Sequence, residues 1–235
     1  MKKKILLEIS VESVEGAAAA ERGGADRIEL CSNLSVGGLA PDLALLRAVG
    51  EEIQIPIFVM IRPRAGDFIY SAAEFTLMKK SIAAGKDAGA DGLVFGILKA
   101  NRTVNIDRTA ELVELAQPLP VTFHRAFDAC LDFSQALEDV VRSGASRILT
   151  SGGASTAHEG AATIKALVAV AGEHVTIVPG AGINEGNILE LAEATRAREF
   201  HSGLSSVFSQ QQIDYVKFEN VVRTMVDALS TISPE

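Results

Sequence analysis

The chain has 235 residues, of which 48% are hydrophobic and 22% charged, and its formal net charge is −8. This balance is typical of a folded globular protein, and so large an excess of negative charge excludes nucleic acid as an expected partner, because phosphates would be repelled. No apolar run is long enough to span a bilayer. Glu8, Glu12 and Glu15 interrupt the stretch that a secretion signal would need to keep apolar.

The two cysteines, Cys31 and Cys130, lie far apart and lack the Cys-x-x-Cys spacing of many metal and redox sites. A disulfide framework is therefore not expected, and reduced thiols fit better. We expect a cytoplasmic protein that has neither nucleic acid nor a membrane as its partner.

A weak internal repeat runs along the chain. The segments ERGGADRIEL, KDAGADGLVFG and VRSGASRILTSGG each pass from the end of a helix-like stretch, through Gly-Ala, into a short apolar strand. Gly24, Gly89 and Gly144 begin the repeated part of these segments, and glycine there suits a left-handed helix end. The apolar run that follows suits a buried parallel strand.

Strands and helices alternate along the whole chain. Strands are predicted at residues 5–9, 27–31, 57–61, 92–95, 121–123, 147–150, 175–178 and 199–201. Helices are predicted at residues 14–22, 43–51, 72–88, 108–116, 134–142, 157–171, 185–194 and 215–229. Two helix starts carry the Ser/Thr-x-x-Glu capping box, Ser71 with Glu74 and Thr156 with Glu159.

Eight strands alternating with eight helices predict an α/β fold of the (β/α)8 TIM barrel type, as a single domain over residues 1–235. The competing fold is a doubly wound open sheet. That fold usually has a glycine-rich turn after its first strand, whereas the turn here reads EISVES. The barrel is therefore favoured.

Ionisable side chains follow the ends of the predicted strands, where the active sites of such barrels lie. A cluster of carboxylates and imidazoles could transfer protons or bind a divalent metal. The candidate catalytic residues are Glu8, Glu29, His124, Asp128 and His201. Each of them could instead bond only loop backbone or a neighbouring arginine, and that alternative weakens when five such groups converge.

The segment VTFHRAFDAC places three of these charges within five residues, at His124, Arg125 and Asp128. We expect His124 to prolong the fifth strand into the mouth of the barrel. Arg125 should then face the opposite side, unless the chain has already turned.

Three glycine-containing loops follow the last three strands. Backbone amides in such loops can hold an anion, and the last two strands are the usual phosphate position in this fold. The candidate anion-binding residues are Ser151, Gly152, Gly153, Gly180, Gly182, Ser202 and Gly203. Arg62 and Arg64 could add a clamp on a carboxylate or phosphate, or they could pair with Glu29 or Glu8 instead. The glycines could equally serve only to make tight turns.

The motifs GGADRIELCSNLSVGGLAP, VMIRPRAGDF, TFHRAFD, ILTSGG and PGAGIN resemble those of the copper homeostasis protein CutC family. The resemblance runs from about Glu8 to Ser206. It implies a cytoplasmic (β/α)8 barrel that self-associates and that handles copper, with Cu(I) as the bound ion.

The same resemblance makes Cys31, in RIELCSN, the candidate Cu(I) ligand. Cu(I) prefers thiolate or thioether ligands. Some family members carry a second cysteine in the first strand, where this chain has Ser10, so a site with two thiolates is not available by that route. Met60, Cys130 and His124 are candidate helpers, and the alternative for Cys31 is a small buried side chain at a strand end.

Two functions from different classes follow. The first is a copper-handling protein that binds Cu(I) through Cys31. The second is an enzyme that acts on a small anionic metabolite in the mouth of the barrel. A purely structural or partner-binding barrel ranks last, because it leaves the converging polar groups unexplained. A homo-oligomer is expected, a dimer first, with Phe208, Tyr215 and Phe218 as candidate interface residues.

Overall fold

The structure is a computed structural model that describes residues 4–204 and 213–232. Eight parallel strands form its centre, and eight helices alternate with them. The strands are β1 (Leu6–Val11), β2 (Arg27–Leu30), β3 (Ile57–Met60), β4 (Gly92–Phe95), β5 (Val121–Phe123), β6 (Arg147–Thr150), β7 (Thr176–Pro179) and β8 (Glu199–Ser202). The helices are α1 (Val14–Arg22), α2 (Leu43–Glu52), α3 (Ala72–Asp87), α4 (Ile106–Ala116), α5 (Phe133–Ser143), α6 (Ala161–Ala171), α7 (Ile188–Thr195) and α8 (Tyr215–Ser230).

The strands are joined in the order β7-β6-β5-β4-β3-β2-β1-β8, and the ladders between them are parallel. Within residues 4–204 and 213–232, no ladder closes β7 onto β8. The sheet therefore forms a nearly closed barrel surrounded by helices, and the predicted fold is confirmed.

The glycines of the internal repeat take the backbone conformation predicted for them. Gly24, Gly89 and Gly144 have φ angles of +93°, +98° and +84°. A side chain at such a φ is strained, so glycine allows the chain to leave a helix and enter the next strand within a few residues.

One predicted helix start is confirmed and the other is wrong. Ser71 and Glu74 form the reciprocal capping box at the start of α3. Thr156 accepts a bond from the Glu159 amide, but only within a turn, and α6 begins later. Gly160, which precedes the first residue of α6, packs so closely on Ser151 that a Cβ there would come within 1.9 Å of the Ser151 carbonyl oxygen.

Alternation along the strands separates two apolar regions. Residues such as Leu7 and Ile9 of β1 point outward and join the large core between the barrel and its helices. A smaller cluster of Cys31, Phe58, Met60 and Val94 lies inside the barrel. Inward-facing positions of the other strands are largely polar, which is where a site can form.

Of the aromatic residues predicted for an interface, the two that the structure describes, Tyr215 and Phe218, do not form an exposed apolar patch. Phe218 is buried in the core of its own chain, and the hydroxyl of Tyr215 bonds the hydroxyl of Ser13. Phe208 lies outside the described residues. Among the helices in the described ranges, none is both long and apolar enough to cross a membrane.

Candidate active site

A bowl opens at the carboxyl ends of the strands, with a cavity volume of about 580 Å³. Glu29, Arg62, His124 and His201, which are far apart in sequence, all line it. Asp128, Gly153, Gly182 and Gly203 line it as well. The strand ends therefore bring together most of the predicted groups.

His201 connects two carboxyl groups at the base of the bowl. Its Nδ1 donates to Oε1 of Glu8 over 2.7 Å, and its Nε2 lies 3.8 Å from Oε2 of Glu29. The second distance is too long for a hydrogen bond. The other oxygen of Glu29, Oε1, is buried with no hydrogen-bond partner in the described part of the chain. Glu29 is thus a carboxyl group available to a ligand, next to an imidazole that Glu8 orients.

The surroundings separate the pKa values of the two carboxyl groups. Burial raises the pKa of Glu29 to about 7; the carboxylate of Glu8 adds to this effect and the charge of His201 opposes it. Burial also acts on Glu8, but Arg147 and Arg27 outweigh it and hold the pKa of Glu8 well below its ordinary value. For His201, burial is outweighed by Glu29 and Glu8, which raise the imidazole pKa. Neighbouring ionisable groups whose pKa values are shifted in opposite directions are typical of proton-transfer sites.

Glu8 belongs to a layer of four charged residues, three of them buried and Glu199 partly buried, and the other three members were not predicted from the sequence. Oε2 of Glu8 accepts bonds from Arg27 and Arg147. Nη2 of Arg27 donates to Glu199 over 2.7 Å, and Nε of Arg147 lies 3.0 Å from the same carboxylate. Both guanidinium groups lie over the Phe58 ring, 4.7 and 4.9 Å from its centre. We call Glu8, Arg27, Arg147 and Glu199 the floor layer.

A signal for the floor layer does exist in the sequence. Arg27 and Arg147 occupy the same position in two copies of the internal repeat, ADRIEL and ASRILT. An arginine at the start of a buried strand needs a buried partner.

A metal ion needs several ligand atoms close together. Among the described residues, one ligand atom each from Glu8, Glu29 and His201 lies within 4.8 Å of the others. Both oxygens of Glu8 are engaged, one by His201 and one by two arginines. A divalent cation bound there would have to displace these donors and approach two guanidinium charges. The donor set therefore fits proton transfer better than a hard metal ion.

The chain turns immediately after β5. His124 is followed by a short 3-10 helix, Arg125–Ala129, and its Nδ1 accepts a bond from the Ala126 amide over 3.2 Å. Because of this turn, Arg125 lines the bowl instead of facing away. Burial lowers the pKa of His124 to about 3, with the charge of Arg62 adding to the shift. His124 is therefore neutral near pH 7, whereas the pKa of His201 is shifted in the opposite direction.

Asp128 bonds the loop after β6, which was predicted to bind an anion. Its carboxylate accepts bonds from the amide of Ser151 at 3.0 Å and from the amide of Gly153 at 3.3 Å. The amide of Gly152 donates to Thr150 instead. These donors are satisfied within the chain, so the loop does not offer Ser151, Gly152 and Gly153 to an external anion. Asp128 serves as the internal anion of this loop and also pairs with Arg125 over 2.8 Å, which matches the alternative that it bonds loop backbone and a neighbouring arginine.

The two later loops contribute less than predicted. The amide of Gly180 donates to Thr150 across the β6–β7 ladder, and the hydroxyl of Ser202 donates to the carbonyl of Ile183. Both residues therefore hold the loop structure instead of facing a ligand. Gly182 and Gly203 do line the bowl, so they remain candidates for contact with a ligand.

The two predicted clamp arginines have different positions. Arg62 lines the bowl, but its Nη1 and Nη2 donate to the carbonyls of Val36, Gly38 and Gly66, at 3.0, 3.1 and 3.0 Å. Arg62 therefore holds the loops at residues 36–38 and 66, which we call the rim loops. Arg64 is not part of the bowl, because its guanidinium is bound to Asp67, Glu74 and nearby carbonyls. The predicted clamp of two arginines therefore does not form.

Cys31 lies inside the barrel next to Met60 and not at the surface of the bowl. A Cβ placed on Gly38 would be 3.5 Å from Sγ of Cys31 and 3.4 Å from Cε of Met60, which shows how close the two side chains are. Burial, then Glu29 and Glu12, raise the pKa of the Cys31 thiol well above its ordinary value. Cys130 is buried in the outer core, away from this pair. The soft donors that meet here are one thiol and one thioether.

Known proteins resemble this chain over most of its length. A sequence model of the CutC family matches residues 5–206. The copper homeostasis protein cutC homolog of Homo sapiens is 48% identical over 201 residues, which cover 86% of this chain and 74% of the human protein. A CutC family protein of Xanthomonas campestris pv. campestris is 45% identical over 196 residues, which cover 83% and 82% of the two chains. A crystal structure of CutC from Streptococcus agalactiae matches with a TM-score of 0.80 and 31% identity, over 84% of this chain and 98% of that chain.

Proposed function

This chain belongs to the CutC family, and we propose that its bowl is the active site of an enzyme that transfers protons on a small anionic metabolite, a carboxylate or a phosphate. The observation that carries the proposal is the carboxyl group of Glu29. It is buried, its Oε1 has no partner in the described structure, it lines the bowl, and its pKa is about 7. A group of this pKa changes protonation readily near neutral pH, as a general base or acid must.

His201 and Glu8 act through Glu29. The bond from Nδ1 of His201 to Glu8 fixes the orientation of the ring, so that Nε2 points toward Glu29. A protonated His201 stabilises the ionised form of Glu29, while burial stabilises the protonated form. The two effects balance near neutrality, which allows Glu29 to take a proton in one step and return it in another.

Positive charge in the bowl supports an anionic substrate. Arg62 and Arg125 both line the cavity, and the raised pKa of His201 favours positive charge on the ring at its base. Arg125 is 43% exposed at its side chain and donates to Asp128 over 2.8 Å and to Ser151 over 3.0 Å, so an anion would have to share its guanidinium with these partners. A low-dielectric cavity with these charges would attract a carboxylate or phosphate.

The test uses the whole protein and a panel of small carboxylates and phosphate esters in D₂O, with product formation or loss of C–H signals followed by proton NMR. Wild-type protein should transform at least one compound. Glu29→Gln should slow that reaction roughly 100-fold or more, whereas Glu114→Gln, at an exposed site on α4, should leave it unchanged. Equal rates for wild type and Glu29→Gln would contradict the proposal.

Cu(I) binding is the second candidate, and the proximity of Cys31 to Met60 favours it. Relatives carry the name copper homeostasis protein, and a thiolate with a thioether suits Cu(I). The raised pKa of Cys31 means that binding must displace a proton. A single thiolate is a sparse ligand set, so we rank this function below the enzyme.

Anaerobic titration with Cu(I) tests the second candidate. It predicts stoichiometric binding that releases one proton, weakens at lower pH and is lost in Cys31→Ser. Cys130→Ser is the matched control, because Cys130 is also a free buried thiol. Binding that survives in Cys31→Ser would refute the site.

The location and assembly of the protein stay proposals. Two free thiols fit the cytoplasm, and fractionation of cells would check this. The homodimer implied by the family resemblance predicts twice the chain mass in light scattering.

A further inference from the structure

The imidazole of His124 has a defined tautomer. Nδ1 accepts a bond from the Ala126 amide, and a backbone N–H can only donate, so Nδ1 carries no proton. A neutral imidazole with a bare Nδ1 has its proton on Nε2. The neutral state follows from burial and from the nearby charge of Arg62, which hold the pKa of His124 at about 3.

Nε2 of His124 is a donor that has nothing to bond. It is buried, and no partner for it exists among the described residues. His124 lines the bowl, and we take this N–H as the donor that a ligand bound there would meet. A buried donor without a partner is costly, and a ligand acceptor would satisfy it.

The ring is held firmly in this position. The Phe68 ring packs against it at a centroid distance of 4.8 Å. Gly96 also lies against the ring, since a Cβ there would be 2.7 Å from Nδ1 of His124. Packing and the Ala126 bond together aim Nε2–H at one point, as is needed to stabilise a developing charge.

We infer that the substrate of the proposed enzyme is an anionic carbonyl compound with a hydrogen on the carbon next to the carbonyl, and that His124 donates from Nε2 to the carbonyl oxygen while Glu29 removes that hydrogen as a proton. This inference rests on the proposed function and specifies its substrate class. A keto acid or a hydroxyketone bearing a carboxylate or phosphate belongs to this class.

The step needs no further reactant. The C–H bond breaks, and its proton goes to the carboxylate of Glu29. The electron pair of that bond forms a carbon–carbon double bond, and the π pair of the carbonyl moves to oxygen, giving an enolate that the Nε2–H bond stabilises. Return of the proton from Glu29 to a carbon atom restores a carbonyl compound. Because His124 stays neutral throughout, it stabilises the oxyanion as a hydrogen-bond donor without losing its proton.

The unpartnered groups of the bowl match this chemistry. Ser10, Glu29 and His124 each present a buried polar atom without a partner in the described structure, and all three residues line the cavity. They supply a hydroxyl, a carboxyl group and an N–H donor. A planar enolate with two oxygens needs one proton acceptor and two donors, and Ser10 can donate to the second oxygen.

The experiment uses full-length protein with ¹⁵N-labelled histidine rings and oxalate, a planar dianion that resembles an enolate. NMR between about pH 6 and 8 should show His124 as the neutral tautomer protonated on Nε2, and oxalate should move the signal of that proton. His124→Ala should weaken oxalate binding about tenfold or more, and His124→Gln, which retains an N–H donor, should bind much more tightly than His124→Ala. Circular dichroism checks that both variants fold.

A proton on Nδ1, a titrating ring, or oxalate binding that is equal in wild type and His124→Ala would each overturn the inference. Failure of oxalate to bind at all would overturn it too. None of these results would contradict the proposed function, because that function is tested separately by the effect of Glu29→Gln on turnover. Loss of that effect would end the proposed function, whatever the tautomer of His124.

Discussion

Glu8 and His201 lie opposite each other in the ladder between β1 and β8, and Nδ1 of His201 donates to Oε1 of Glu8 over 2.7 Å. Strand register therefore sets the position of the imidazole. Because Arg27 and Arg147 hold the other oxygen of Glu8, the carboxylate cannot rotate away. A rigid support of this kind is what a proton-transfer group requires.

Replacement of Glu8 should reveal how much the floor layer depends on it. Glu8→Gln leaves Arg27 and Arg147 with one buried carboxylate fewer, so the free energy of unfolding should fall by about 3–5 kcal/mol in urea titrations. The pKa of His201, followed by NMR, should fall because one of its anionic partners is lost. Glu114→Gln should change stability by less than about 0.5 kcal/mol. Unchanged stability in Glu8→Gln would show that the layer is dispensable.

Glu29 should make the protein less stable as pH rises. Its pKa is about 7 when folded, against an ordinary value of 4.5, so between these values the folded state holds a proton that the unfolded state has lost. Protonated Glu29 makes its full contribution to the free energy of unfolding below about pH 4.5, and this contribution disappears above about pH 7. Between these values the free energy of unfolding should fall by up to about 1.4 kcal/mol per pH unit. The stability difference between wild type and Glu29→Gln should decline over this window. A difference that is constant with pH would mean an ordinary pKa for Glu29.

His124 should make the protein less stable as pH falls, which is the opposite of the effect of Glu29. Its pKa is about 3 when folded, against an ordinary value of 6.5, so the unfolded state gains a proton first as pH falls. The contribution of the neutral ring is complete above about 6.5 and is lost progressively toward about 3. Urea titrations at several pH values should show that wild type loses more stability on acidification than His124→Gln does. Equal losses would place the pKa of His124 near its ordinary value.

Arg62 should control the order of the rim loops. A lysine cannot donate to Val36, Gly38 and Gly66 together, as the guanidinium does. Arg62→Lys should lower stability by about 2 kcal/mol and speed hydrogen exchange at residues 34–38, measured by mass spectrometry. Arg47→Lys, at an exposed site on α2, should do neither. Unchanged exchange in Arg62→Lys would assign the order of the loop to other contacts.

Both thiols should resist alkylation in the folded protein. Burial raises the pKa of Cys130 to about 11 from 9, which alone lowers its reactive thiolate about 100-fold. The pKa of Cys31 is also raised, and its side chain is fully buried. Labelling should therefore be slow until denaturant is added, when both should react. Rapid labelling of Cys31 in native protein would show that its pocket opens.

The sequence predicts the fold and the facing of its strands because both rest on local patterns. Period-two alternation places Glu29 and Met60 on the inner side of the barrel, and both line the bowl. Glycines at helix ends, such as Gly89, mark where each strand begins. These signals act over a few residues, so they survive without knowledge of the tertiary structure.

The pairing of polar groups was less predictable, because it depends on contacts across the barrel. Asp128 reaches the amides of Ser151 and Gly153 only because the chain forms a 3-10 turn after β5. Arg64, two residues from Arg62, pairs with Glu74 on α3 and leaves the bowl. The partners just named lie ten or more residues along the chain from the groups that they bind, so local patterns do not predict these contacts.

The floor layer has a further effect on molecules that enter the bowl. Its four side chains are at most 15% exposed and fill the barrel axis below His201. The floor layer thus closes the base of the bowl, and a molecule that enters past the rim loops must leave by the same opening. For a reaction that cleaves its substrate, release would then be ordered: the fragment nearer the opening departs first, and the fragment held against Glu29 departs last.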